Sequence, residues 1–200
     1  MTLQAHAPTS TAPSRHRITV EEYERMIAAN VWPEDERLEL VEGELVHMSP
    51  INARHAAAVK RLTELLRDQL GKRALAGVQD PIVLDDQSEP EPDISVLRRR
   101  ADYYANAHPS PADVLLIIEI SDTTLEYDRD VKARLYARAG ILETWVVDLN
   151  GDRVIVFRDL GNGEYTRMES IRRGADVTPT AFPDVLLRAD DILGEGRANE

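Results

Sequence analysis

Cysteine is absent from this 200-residue chain. That excludes disulfides and cysteine-based zinc sites, and it fits a reducing compartment. No apolar run approaches the length needed to cross a bilayer. The first 14 residues are rich in Ala, Thr, Ser, Pro and His and lack the apolar core of a signal peptide. Residues 1–18 therefore read as a disordered leader, and the expected location is the cytoplasm. There is no P-loop, no Gly-rich dinucleotide loop and no Ser-His-Asp set. Lysine is scarce, with three residues among the 24 Lys and Arg. Acids outnumber bases, 36 Asp and Glu against 24 Lys and Arg, so the formal net charge is −12. A phosphate-binding surface on such a chain has to be local, because affinity for DNA comes largely from neutralising phosphates.

What is present is enough apolar sequence for one domain, expected over residues 19–190, with a flexible tail at 191–200. Thr19 and Glu22 have the spacing of a capping box, which predicts a helix to about Asn30. Arg37 to Val41 and Leu45 to Met48 flank Glu42-Gly43-Glu44, a β-hairpin signature. Asn52 can cap a second helix running to Leu70, with Gly71 closing it. Strands are expected at Ala74 to Val78, Ile82 to Leu84 and Asp93 to Leu97. The run Val114-Leu115-Leu116-Ile117-Ile118-Glu119-Ile120 is apolar on both faces, as in a central, doubly covered strand. A helix from about Asp128 to Ala139 follows. Asn150-Gly151 then joins two further strands, and a last strand falls near Tyr165 to Glu169. The order describes an α/β fold, a mixed sheet flanked by helices, with an N-terminal helix and hairpin.

Three charged residues stand where charge is expensive or scarce. Glu119 follows five consecutive aliphatic residues, and a buried carboxylate is costly unless paired or bound to a metal. Asp93 opens a short strand after Pro92. Lys132 lies in the helix after Glu119, whose start should fall near the carboxyl end of the Glu119 strand. If Asp128 caps that helix, Lys132 is about one turn in. Two carboxylates holding Mg²⁺ or Mn²⁺, with an ammonium beside them, suit phosphodiester hydrolysis. Each residue also has a plain alternative: Asp93 a strand start, Glu119 a solvent-facing strand end, Lys132 an i,i+4 partner of Asp128.

Pro92-Asp93 followed by Glu119-Ile120-Ser121 resembles the PD-(D/E)xK signature of restriction-endonuclease-like nucleases. A set of blocks in order resembles one branch more closely, the Uma-two family of endonucleases. The blocks are Glu39-Leu40-Val41-Glu42-Gly43-Glu44, Pro92 to Val96, Glu119 to Ser121, Tyr127 to Lys132, Tyr136-Ala137 and Gly140 to Asp148. The resemblance implies a restriction-endonuclease-like fold, Mg²⁺ or Mn²⁺ on Asp93 and Glu119, and DNA as substrate. It departs from the signature at Ser121, where the parent pattern has lysine. The resemblance implies that the lysine has migrated to Lys132. It also implies a further contribution from a hairpin glutamate, Glu44 or Glu39, and it gives His55 a counterpart. Arg98-Arg99-Arg100, directly after the Asp93 strand, could grip a DNA backbone; Lys60, Arg61 and Arg67 form a weaker patch. Cleavage of both strands of a duplex makes a homodimer the expected assembly. A non-catalytic metal-, DNA- or partner-binding module and a small-molecule phosphoesterase are the competing functions.

Overall fold

The computed structural model describes residues 15–33 and 36–195. Most of the leader expected over residues 1–18 lies outside the described residues. Arg15 to Ile18, its end, runs beside the hairpin, with the Ile18 N–H bonded to the Gly43 carbonyl at 3.0 Å.

Helix α1 (Val20–Ala28) begins where the capping box places it. The Thr19 side chain accepts from the Glu22 N–H, and Glu22 accepts from the Thr19 N–H. Strands β1 (Leu38–Val41) and β2 (Glu44–His47) form the hairpin, with Gly43 in the left-handed region at φ +76°. Helix α2 (Ala53–Leu70) has Asn52 as its N-cap, bonded to the His55 N–H at 2.9 Å.

Strands β3 (Leu75–Val78), β4 (Ile94–Leu97), β5 (Val114–Ser121), β6 (Glu143–Asp148), β7 (Arg153–Gly161) and β8 (Glu164–Arg172) form one sheet in that order. Only β5 and β6 are parallel; the other neighbours are antiparallel. Between β5 and β6 the chain crosses over through α3 (Leu125–Tyr127), a π-helical turn (Asp128–Lys132) and α4 (Ala133–Arg138). Short strands β9 (Asp176–Val177) and β10 (Leu187–Arg188) lead to α5 (Ala189–Leu193).

The alternation along β5 assigns its faces. Leu116, Ile118 and Ile120 pack with Leu62, Leu66, Ile192 and Leu193 on the side of α2 and α5. Ile117 packs with Leu135 and Tyr136 on the side of α4. Glu119 and Ser121 share the α4 side by the same period of two.

Three expectations need correction. Ile82 to Leu84 is not a strand; the Ile82 N–H goes to Pro90, Val83 to Pro109 and Leu84 to Ser88. Pro81, Pro90 and Pro92 have no N–H to donate, so a regular ladder through this stretch is blocked. The crossover helix starts at Leu125, ahead of Asp128, which is an interior residue rather than its cap. The ordered core also runs past residue 190: Ile192 is fully buried and Leu193 nearly so, because α5 closes the end of the α2 side.

Candidate active site

One end of the sheet gathers the carboxyl ends of β3, β5, β6 and β8 and the starts of β4 and β7, as the antiparallel and parallel registers require. Asp93 immediately precedes β4. Ile94 pairs with Ile118, so Asp93 stands next to Glu119 and Ile120. Its Oδ2 accepts from the Ile120 N–H at 2.8 Å, and its own N–H approaches Glu119 Oε2 at 3.4 Å. The two carboxylates therefore share a face and an end of the sheet.

Lys132 reaches the same place from the helix. Its Nζ lies 3.0 Å from Glu119 Oε1 and 3.1 Å from Glu39 Oε1, and all three side chains are buried. The π-helical turn helps aim it. The Ala133 N–H bonds the Asp128 carbonyl five residues back, so the wider turn presents Asp128 and Lys132 together. Ser121, where the signature would have lysine, donates to Asp128 Oδ2 at 2.7 Å, and Thr124 Oγ1 donates to the same oxygen at 2.6 Å. The short serine leaves room for the ammonium to arrive from the crossover.

The two hairpin glutamates separate cleanly. Glu39, on β1, is fully buried against Lys132. Glu44, on β2, is exposed and faces Arg17 at 3.8 Å. The structure thus brings Glu39 to the cluster and leaves Glu44 outside it. His55 is in the cluster as well: its Nε2 lies 3.0 Å from Asp93 Oδ2, and its buried Nδ1 has no partner among the described residues. Tyr136 donates its hydroxyl to Glu119 Oε1. The sequence alone assigns Asp128 and Tyr136 no place in the site, although both stand in blocks that carry the family resemblance.

Arg98, Arg99 and Arg100 are not brought to this end. They follow the other end of β4, with Arg98 roughly 17 Å from Asp93 at about 3.4 Å per strand residue. Arg98 donates to the Ala112 carbonyl, Arg99 to the Ala74 carbonyl and Arg100 to Asp102. Adjacency in sequence does not place them beside Asp93, because a strand carries its two ends apart.

The electrostatics follow from burial. Burial raises the Glu119 carboxyl to about 8, against the pull of Lys132, and burial likewise raises Asp128. Burial works against charged Lys132, but Glu119, Glu39 and Asp128 hold it well above its ordinary range, so it stays an ammonium. Asp93 is also pushed upward by burial, yet the His55 bond and the Ile120 N–H bring it below its usual value. The bond to Asp93 raises His55.

The cluster opens into a cleft of about 50 Å³, which also meets Arg37, Ser49, Ile51 and Asp122. That is room for a few waters or a hydrated ion. Among the described residues no three His, Asp or Glu side chains are arranged to enclose a metal. The donors do fit a cation held in the manner of Mg²⁺, by one or two carboxylates with waters and a substrate phosphate completing the shell. Asp93 Oδ1 has only a 3.3 Å contact from Gln79, and Glu119 Oε2 only the 3.4 Å approach of Asp93 N–H. Each acid thus keeps a weakly used hard oxygen beside the other, and buried Glu119 lacks full charge compensation.

No match was found among curated proteins. Among solved structures the chain is similar to one described as "a putative nuclease belonging to DUF820 from Anabaena variabilis ATCC 29413". The TM-score is 0.69 at 20% identity, covering 88% of this chain and 97% of that one, so the two share a fold. The family model described as "Putative restriction endonuclease", Uma2, matches residues 20–190. The chain belongs to the Uma2 family.

Proposed function

We propose that this chain is a metal-dependent endonuclease that hydrolyses DNA phosphodiester bonds, leaving 5′-phosphate and 3′-hydroxyl ends. The observation that carries the reading is Lys132 Nζ at 3.0 Å from Glu119 Oε1, across a strand end that Asp93 also touches. A lysine supplied by the crossover helix stands in for the one replaced by Ser121. Mg²⁺ or Mn²⁺ on Asp93 and Glu119 would polarise the phosphoryl group and lower the pKa of the attacking water.

The remaining roles belong to the chain. Lys132, kept charged by its carboxylate partners, orients the water and offsets charge developing on the phosphate. Glu39 fixes the Lys132 stem, His55 fixes Asp93, and Tyr136 fixes Glu119. The water gives up a proton to solvent as its oxygen bonds to phosphorus, the bond from phosphorus to the 3′ oxygen breaks, and that oxygen takes up a proton from solvent. A homodimer with one such centre for each strand is part of this reading. No helix among the described residues is long and apolar enough to cross a membrane.

A second reading, a non-catalytic metal- or DNA-binding module, is favoured by one observation: both contacts made by Lys132 are to carboxylates of its own chain. Calorimetry with Mn²⁺ followed by plasmid nicking separates the two. The endonuclease binds Mn²⁺ and nicks, Asp93→Asn does neither, and EDTA abolishes nicking. Metal binding without nicking supports the module and overturns the endonuclease.

A further inference from the structure

Two further grooves lie near the cleft: one shares Asp122, Thr123 and Thr124 with it, and the other is linked to it through the Arg54–Asp122 ion pair. The first is lined by Asp122, Glu126, Asp130 and Asp148 and by no Lys or Arg. A phosphate backbone laid there would meet four carboxylates and no guanidinium or ammonium. The other, of about 470 Å³, is lined by three arginines, Arg54, Arg61 and Arg173, against two carboxylates, Asp152 and Glu195, with Ala58 and Asn150 between them. It has the size of a ligand site rather than of a water pocket.

The fold explains the second groove. Arg54, Ala58 and Arg61 recur at i, i+4 and i+7 on one face of α2. His55, next to Arg54 in sequence, bonds Asp93, so the start of α2 lies beside the active site. Arg54 to Arg61 covers about 10 Å along the helix, the axial rise of about three nucleotides of one DNA strand. Arg173 follows the end of β8, at the same end of the sheet as Ser121 and Asp148.

Two of the three guanidiniums are held by carboxylates and carbonyls, and one has no carboxylate among the described residues. Arg54 pairs with Asp122 at 2.6 Å, which ties the groove to the cleft. Arg173 pairs with Asp152 at 2.5 Å, lies 3.6 Å from Asp190 Oδ1 and donates Nη1 to the Gly194 carbonyl at 2.7 Å. Arg61 has only the Ile192 carbonyl, which Nε and Nη2 approach at 3.3 and 3.0 Å. Among the described residues it has no carboxylate partner, and its Nη1 has no hydrogen bond. Burial, with the nearby Arg173 charge, lowers the Arg61 pKa, as expected of a cation lacking an anion. Lys60 and Arg67, its companions in the sequence, line a different depression.

We propose that the groove of Arg54, Arg61 and Arg173 takes the phosphodiester backbone of the duplex beside the scissile bond. The proposal rests on the endonuclease reading for the nature of its ligand. Arg61 is the anchor, since it alone gains a first anionic partner on binding. The guanidinium fork suits a phosphate oxygen pair.

The test is fluorescence anisotropy of a labelled 20-base-pair duplex. It uses full-length chain in a Glu119→Gln background with Mg²⁺, from 50 to 200 mM KCl. Each phosphate left without its arginine flattens the plot of log affinity against log salt by about 0.9. Arg61→Gln with Arg173→Gln is expected to flatten it by about 1.8, and Arg61→Lys with Arg173→Lys to restore most of it. If the Gln pair fails to fold, Arg173→Gln alone is expected to flatten the slope by about 0.9. Arg99→Gln, at the far end of the sheet, is expected to change nothing. An unchanged slope in folded Gln variants, or an equal loss in Arg99→Gln, overturns the groove. Failure of the endonuclease reading shows differently: wild-type chain does not nick plasmid, while the Arg61-dependent salt slope persists.

Discussion

The two ends of the six-stranded sheet both carry arginine, and they use it differently. At the end beyond β4, Arg98, Arg99 and Arg100 fasten loops: two bond backbone carbonyls, and Arg100 grips Asp102 two residues away. At the opposite end, Arg54 and Arg173 are set by carboxylates around a groove, and buried Lys132 is set by two acids beside Asp93. Charge near a motif in sequence is therefore a poor guide to charge near a site. What decides is which end of a strand a residue occupies. The Asp93 end combines buried carboxylates that lack full compensation with a cation held in place. At the Arg98 end the arginines bond loop carbonyls and Asp102 instead.

Removing the central cation should show the contrast most strongly. Lys132→Met leaves Glu39 and Glu119 buried without their ammonium, and breaking such a cluster costs about 3–5 kcal/mol. Urea unfolding should show that loss, and nicking should disappear. Adding Glu39→Gln should recover part of the stability and none of the nicking. Recovery of both would make Lys132 a purely structural residue.

A smaller effect is expected at His55, which touches Asp93 from α2. His55→Ala should weaken Mn²⁺ binding, followed by calorimetry, by roughly 10- to 100-fold. Affinity equal to wild type would remove His55 from the site.

The pH dependence at this end has a defined sign. Burial raises Glu119 from its ordinary value near 4.5 to about 8, so the folded chain holds its proton to higher pH than the unfolded chain does. Glu119 therefore withdraws stability as pH rises through that window, and a bound divalent cation should return it. Thermal melts with and without Mn²⁺ should diverge between pH 6 and 8, and Glu119→Gln should make them coincide. Divergence that survives in Glu119→Gln would place the cation elsewhere.

The smallest effect belongs to the other end. Arg98→Gln and Arg99→Gln should leave nicking unchanged and shift stability by about 0.5 kcal/mol or less. A tenfold loss of nicking in either would erase the distinction between the two ends.

Much of this was legible in the sequence. The capping box at Thr19, the Gly43 turn and the doubly covered β5 are local patterns, and local physics decides them. Glu119 stands out in the sequence because the motif and the cost of burial agree, and Asp93 stands out mainly by the motif. The choice of Glu39 over Glu44 was not, since both lie in similar Glu-Leu-Val stretches; only packing shows that β1 is buried and β2 is not. The same holds for the π-helical turn, which has no sequence signal, and for Ile82 to Leu84, where flanking prolines outweigh strand-forming side chains. Arg61 was visible as charge, but its face of α2 was set by tertiary packing. Ile192 and Leu193 looked like a tail because five residues make too short a helix to read before its packing is known.

The most direct test of the account is Mg²⁺-dependent nicking of supercoiled plasmid by purified wild-type chain beside Glu119→Gln, with far-ultraviolet circular dichroism confirming that both are folded. The account predicts nicking by wild type that EDTA abolishes, and a loss of roughly 100-fold or more in Glu119→Gln. Nicking by folded Glu119→Gln at the wild-type rate would contradict it.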